Sequence, residues 1–201
     1  MKRPKPAPGK SCGACTQCCV ELVIDTPEFK KDAHVACAHL TARGCGIYQT
    51  RFKICREFLC GWMLSSELGE GWRPDRSGVL MMQVPQNDLP ERWRPAGHGV
   101  LMLITGGEAA VTRPGFAEHV LELVSRGVGV YLTAISPKAL VNEYLEPMAA
   151  AQDAPGAGRT LLHLYRLLVA TRARKGVLGL LPHFYRLQLE KWRAAANNRN
   201  K

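Results

Sequence analysis

Beyond Cys60 the chain contains no cysteine, although the 201-residue sequence has eight. That absence excludes a disulfide framework running through the whole protein, and residues 61–201 have to hold their fold by packing. Long apolar runs are also missing. The most apolar C-terminal stretch, Leu161 to Ala170, is interrupted by His163 and Arg166, and it is far shorter than the roughly 20 residues a membrane span needs. Acidic residues nearly vanish after Ala157: residues 158–201 carry one, Glu190, against ten Lys/Arg. The first ten residues, Met1-Lys-Arg-Pro-Lys-Pro-Ala-Pro-Gly-Lys10, have charge but no apolar run behind it, which is not the pattern of a secretory signal. The expected compartment is therefore the reducing cytosol, where structural disulfides are rare. There is no internal repeat and no low-complexity tract.

What is present is concentrated. All eight cysteines fall in one module as Cys12-x2-Cys15-x2-Cys18-Cys19, then Cys37, Cys45, Cys55 and Cys60. Thiols crowded in this way either cross-link a small domain or hold metal, and in a reducing compartment the second reading wins. A Cys-x2-Cys loop turns two sulfurs toward one centre. Here the step is repeated without a gap, as in the first three ligands of a bacterial ferredoxin run. The adjacent pair Cys18-Cys19 departs from that run. Neighbouring side chains diverge, so the pair implies two centres or a shared one. Eight thiolates suffice for two four-coordinate sites, or for one site and a reactive pair. Thiolate ligands suit both Zn²⁺ and iron–sulfur clusters, so spacing does not choose the metal. His34 and His39 flank Cys37 and are alternative ligands, while Arg51, Lys53 and Arg56 lie close enough in sequence to Cys55 to offset thiolate charge.

The formal net charge is +10, and it is divided unevenly. Residues 1–60 carry ten Lys/Arg and five Asp/Glu, residues 61–157 seven and eleven, and residues 158–201 ten and one. The basic ends suit nucleic acid, acidic lipid or an acidic protein, or simply form solvated helix faces.

Four regions follow from composition: a flexible basic tail at 1–11, the cysteine module at 12–62, an α+β region at 63–157 and a basic helical region at 158–201. Within the module, Glu21–Ile24 reads as a short strand and Thr50–Phe58 as one or two helical turns. Strands are expected at Val79–Val84, stopped by Pro85, at Val100–Thr105, stopped by Gly106-Gly107, and at Val128–Ala134. A helix with Phe116, Val120, Leu123 and Val124 inward follows Pro114 and ends at Gly127. Another begins at Ser136-Pro137 with Leu140, Val141, Tyr144, Leu145 and Met148 inward. Residues 151–158 read as a linker. Two basic helices follow, the first carrying Leu161, Leu164 and Leu168 inward with Arg166 and Arg174 outward, the second Tyr185, Leu189 and Trp192 inward with Arg186 and Arg193 outward. The fold class is α+β: an irregular, metal-stabilised N-terminal cysteine module packed on a small mixed sheet, with several C-terminal helices.

Residues 12–60 resemble the CxxCxxCC cysteine-cluster family. The resemblance rests on Cys12-Gly-Ala-Cys15-Thr-Gln-Cys18-Cys19, Cys37-x-x-Leu40, Gly44-Cys45-x-Ile47-Tyr48-x-x-Arg51 and Cys55-Arg56-x-Phe58-x-Cys60. Phe52 departs from the Arg-Pro usual after the tyrosine, which alters the loop before Cys55 but removes no cysteine. The family is described as chelating zinc or iron, which implies metal ligation by Cys12, Cys15, Cys18, Cys19, Cys37, Cys45, Cys55 and Cys60. Its relatives include flagellin lysine N-methylases, whose cysteine motif is associated with an iron–sulfur centre. Residues 63–201 carry no methyl-donor motif: Gly106-Gly107 and Gly127-x-Gly129 do not form a Gly-x-Gly-x-x-Gly turn.

Three functions are compatible with these residues. The first is a metal-binding protein ligating iron–sulfur or zinc. The second is a cluster-dependent protein-modifying enzyme, for which His98, Glu108 and His119 are candidate bases or nucleophiles. The third is a zinc-stabilised nucleic-acid-binding module using the basic C-terminal helices, with Tyr165, Tyr185 and Trp192 interleaved among arginines. An unidentified protein partner is compatible with all three.

Overall fold

The structure, a computed structural model, describes residues 5–134 and 137–179, with 172–179 described as backbone only. It is α+β. The central element is a four-stranded sheet of β5 (Val79–Pro85), β6 (His98–Ile104), β7 (Gly129–Thr133) and β8 (Lys138–Leu140), in that spatial order. Before it come four short helices, α1 (Gln17–Glu21), α2 (Lys53–Glu57), α3 (Gly61–Leu64) and α4 (Pro74–Ser77), and two hairpins, β1 (Ile24–Asp25) with β2 (Lys30–Lys31) and β3 (Leu40–Thr41) with β4 (Gly44–Cys45). The helices α5 (Gly107–Thr112), α6 (Phe116–Ser125), α7 (Asn142–Ala151) and α8 (Ala154–Gly179) complete it.

The three expected long strands form where the apolar runs predict, and their pairing makes the sheet mixed. β5 and β6 are antiparallel in a seven-residue register from Val79↔Ile104 to Pro85↔His98. β6 and β7 are parallel, so the chain must cross over between them, and α5 and α6 make that crossover. β7 and β8 return to antiparallel. One face of the sheet packs on α6, α7 and α8, burying Met102, Val130, Leu132, Phe116, Val120, Leu145 and Leu161 almost completely. Val84, Leu89, Trp93 and Tyr131 make a second, smaller core.

Residue chemistry explains where the helices stop. α6 ends in a Schellman turn: Gly127 has φ +74°, its N–H donates to Val124 O at 2.9 Å, and Val128 N–H donates to Leu123 O at 3.0 Å. At the start of α8 the Asp153 carboxylate accepts the Gly156 N–H at 2.8 Å. The stripe Leu161, Leu164, Leu168 faces the core as its spacing predicts.

Four local expectations are corrected. Glu21–Ile24 is not one strand: α1 runs to Glu21 and only Ile24–Asp25 pairs as β1, because Cys18 to Glu21 close a helical turn after Thr16. No helix follows Pro137 directly. Lys138–Leu140 adds to the sheet edge against β7, the helix starts at Asn142, and Tyr144 is 55% exposed rather than inward. The span 151–158 is mostly helix, because Asp153 caps α8 and Pro155 falls in its first turn, where a missing N–H costs nothing. The tail is not loose at Ala7 and Lys10. Ala7 N–H donates to Met63 O at 2.8 Å, and the Lys10 amine donates to Trp62 O while lying 4.6 Å from the Trp62 ring centre. The helix carrying Tyr185, Leu189 and Trp192, and the side chain of Arg174, lie outside the described residues.

The cysteine module joins the rest through α3. Trp62 and Met63 are buried in the main core against β5. At Gly61 a side-chain carbon would sit 2.8 Å from Met81 Cβ, so glycine is what permits this close approach.

Candidate metal centre

All eight cysteines line one cavity of about 190 Å³. Every one is a free thiol; Cys60 is buried and the others are half-buried. Their carriers come from separate short elements. Cys12 and Cys15 sit on a turn closed by Cys15 N–H to Cys12 O at 2.9 Å. Cys18 and Cys19 lie on α1, and the Cys37 N–H donates to Cys19 O at 3.0 Å, pinning that loop beside the helix. Cys45 is on β4, Cys55 on α2, and Cys60 immediately precedes α3. The rest of the wall is largely apolar and includes Leu22, Ile47, Phe58 and Leu80.

The sulfurs differ in what surrounds them. Backbone N–H groups of Met63, Trp62 and Cys60 itself point at the Cys60 sulfur and favour thiolate, but burial outweighs them and raises its pKa. Cys15 is likewise raised by burial, against N–H groups of Gln17 and Asp75 that favour the anion. Cys18 and Cys19 are electrostatically coupled: their mutual interaction raises Cys18 strongly and lowers Cys19 to about 7, with Lys31 and Arg51 adding to the lowering. Cys55 is raised, first by burial and then by Cys19, Cys37 and Cys45.

Among the described residues no group of three or more His, Cys, Asp or Glu side chains is arranged to hold a metal ion. Eight thiols around an apolar-walled cavity have the donor chemistry of either zinc or an iron–sulfur cluster.

Other sequence candidates divide clearly. His39 lines the cavity, its ring 5.6 Å from Phe52 and 6.0 Å from Phe29. His34 does not line it; its Nδ1 is 2.8 Å from a Glu21 carboxylate oxygen. Phe52, the departure from the family pattern, stacks on Phe29 with ring centres 4.5 Å apart. Arg51 also lines the cavity, donating to Tyr48 O at 2.9 Å and lying 3.7 Å from the Tyr48 ring centre. Lys53 and Arg56 are exposed and outside it. The cation that sequence reasoning missed is Lys31. It is only 7% exposed and donates to the carbonyls of Val20, Asp32 and Val35 at 2.8–2.9 Å. A strand signal places no lysine inward, so only the three backbone carbonyls around it reveal the role.

A second depression, an open groove of about 720 Å³, lies across α3 and β5 from the thiols. Gly61 and Met81 line it, whereas their chain neighbours Cys60 and Leu80 line the thiol cavity. It brings His98 and His119 together with Glu67, Glu118 and Glu122. His119 packs 4.7 Å from the Trp72 ring centre, and burial lowers its pKa, which keeps it neutral. Glu108 is elsewhere, paired through both carboxylate oxygens with Arg166 at 2.7–2.8 Å on the surface.

No helix among the described residues is long and apolar enough to cross a membrane. Compared with protein-family models, curated proteins and solved structures, the chain matches none.

Proposed function

We propose that this chain is a cytosolic metal-binding protein that ligates an iron–sulfur cluster or zinc through Cys12, Cys15, Cys18, Cys19, Cys37, Cys45, Cys55 and Cys60, as its resemblance to the CxxCxxCC family implies. The observation that carries the proposal is that six separate segments deliver all eight thiols to the wall of one cavity. Unpaired thiols gathered on one wall gain nothing for packing that Ala or Val would not supply, whereas metal ligation requires them.

Anaerobic purification followed by iron, sulfide and zinc analysis and a visible spectrum tests the reading. Iron with sulfide and a broad sulfur-to-iron charge-transfer band is the expected result. Zinc in a colourless protein keeps the metal-binding reading and replaces the cluster. A protein with neither metal, whose fold is indifferent to chelator, overturns it.

A second reading, a cluster-dependent protein-modifying enzyme, draws support from the groove that places His98 and His119 one layer from the thiols. Titration calorimetry with S-adenosylmethionine tests the methylase version, and absence of binding ends it. The nucleic-acid reading gains less: Tyr165 packs against the core, and Arg166 is engaged by Glu108.

A further inference from the structure

Among the described residues no carboxylate lines the thiol cavity, and its one permanent charge is the Arg51 guanidinium. The acids close by are committed elsewhere. Asp75 is held by the Arg73 guanidinium at 2.7 and 2.9 Å, and Glu21 on α1 lies 2.8 Å from the His34 ring. Arg51 is fixed from one side only, by its hydrogen bond to Tyr48 O and its stacking on the Tyr48 ring. Lys31, buried, reaches Val20 O, one residue from Cys19. Neither Arg51 nor Lys31 forms an ion pair among the described residues. Cations withdrawn from water without a counter-charge are costly, so the pair marks a place built to receive negative charge.

Val23 and Ile54 show where the cavity opens. Both line it, and yet they are 65% and 42% exposed. Arg51 precedes Ile54 by three residues, at the start of α2. The opening therefore combines an apolar lip with a fixed cation.

We propose that Arg51 is the receptor for an anionic carrier at this opening: metal enters the cavity as a complex with a small, carboxylate-bearing thiol, not as a bare dication. This rests on the metal-binding reading above and deepens it. A hydrated dication meets Arg51 and no acid on the cavity wall, whereas a carrier carboxylate pairs with the planar guanidinium. The apolar part of the carrier rests on Val23 and Ile54. Transfer is a ligand exchange. Metal–sulfur bonds to the carrier break as metal–sulfur bonds to cavity thiols form, and the protons those thiols lose pass to the departing carrier thiolates. No electron moves.

The chain has no cysteine outside the cavity, so thiol reagents report on it alone. The reduced, metal-free full chain is reacted with dithiobis(nitrobenzoate), a dicarboxylate, and with neutral dithiodipyridine. The ratio of the two rates isolates anion recognition, since a change in thiolate fraction alters both. At low ionic strength Arg51→Gln is expected to lower the ratio roughly three- to tenfold. Arg51→Lys is expected to lower it less. Lys138→Gln/Arg159→Gln removes two cations from β8 and α8, off the cavity, and is expected to leave it unchanged. In the wild type the ratio should fall with added salt. An unchanged ratio in Arg51→Gln, or an equal fall in the Lys138/Arg159 variant, overturns the proposal. If Arg51→Gln does not fold, a wild-type ratio indifferent to salt overturns it.

Loading separates this from the functional reading. The wild type is expected to take zinc faster from zinc–glutathione than from the aqueous ion, and Arg51→Gln to lose that preference. Faster loading from the aqueous ion overturns the entry proposal and leaves metal binding intact. A chain that takes up neither zinc nor, with sulfide, iron overturns the functional proposal itself.

Discussion

Cys18 and Cys19 are sequence neighbours on one helical turn, and their coupling favours the thiol on Cys18 and the thiolate on Cys19. One thiol packs against the main core, and the other faces Lys31 and Arg51. In the reduced, metal-free protein that asymmetry makes Cys19 a thiolate near neutrality. Its alkylation by iodoacetamide, followed by peptide mass spectrometry, is expected to rise with a midpoint near pH 7, while Cys18 labels last. Lys31→Met and Arg51→Gln are each expected to move that midpoint upward, because each removes a cation that favours the thiolate.

Lys31 is the internal brace of the module. Its amine donates to three backbone carbonyls, one on α1 and two on the segment after β2. Lys31→Met keeps the apolar stem and strands those acceptors, so urea unfolding of the metal-free protein is expected to show a loss of about 2 kcal/mol. An unchanged midpoint would show that water replaces the amine without cost.

Asn142 is fully buried and links two backbone groups of the β7 region. Its Oδ1 accepts the Val130 N–H at 2.7 Å and its Nδ2 donates to Val128 O at 2.8 Å. Asn142→Leu leaves both unpaired beside the parallel strand pair. A loss of about 3 kcal/mol is expected in chemical denaturation, larger than for any exposed α7 substitution such as Tyr144→Ala.

His119 is held neutral by burial, its pKa lying below the ordinary 6.5. A depressed folded-state value means the unfolded chain binds the proton more readily. The stabilisation is therefore complete above the ordinary imidazole range and is lost as pH falls below it. Melts of wild type and His119→Gln at pH 7.5 and pH 5 are expected to show a smaller acid-induced loss in the variant. Equal losses would place the acid sensitivity in other groups.

Metal removal is expected to act locally before it acts globally. Residues 12–60 have only two-residue strands and short helices, while the sheet and α6–α8 carry the main core. Chelation should therefore raise hydrogen exchange and proteolysis in 12–60 at temperatures where 79–171 stays protected. Simultaneous loss of protection in both would show that the sheet depends on the metal.

Much of the sheet was legible. Val79–Val84, Val100–Thr105 and Val128–Ala134 are continuous apolar runs bounded by Pro or Gly, and a strand covered by helices needs that composition. The inward face of α8 was also legible, with Leu161, Leu164 and Leu168 at helical spacing. The edge strand Lys138–Leu140 was not. Three residues carry no periodicity, and their pairing with β7 comes from the sheet already formed beside them. Tyr144 was misplaced because it sits at the edge of the stripe that Val141, Leu145 and Met148 bury, and the packing of α7 leaves that edge in solvent.

The sequence alone determined the chemistry of this protein: eight thiols within Cys12 to Cys60, none beyond, and a helix-and-strand order that gives an α+β fold. Residue type decides which atoms are available, and apolar patterning decides which segments pair, so both can be read from a linear chain. The tertiary structure decided how the thiols are arranged. Cys12 and Cys60, nearly fifty residues apart, meet at the core, while the neighbours Cys18 and Cys19 face different surroundings. It also placed Lys31 inside a knot of carbonyls and His98 with His119 in one groove. Proximity between distant residues is a product of packing, and spacing along the chain does not encode it.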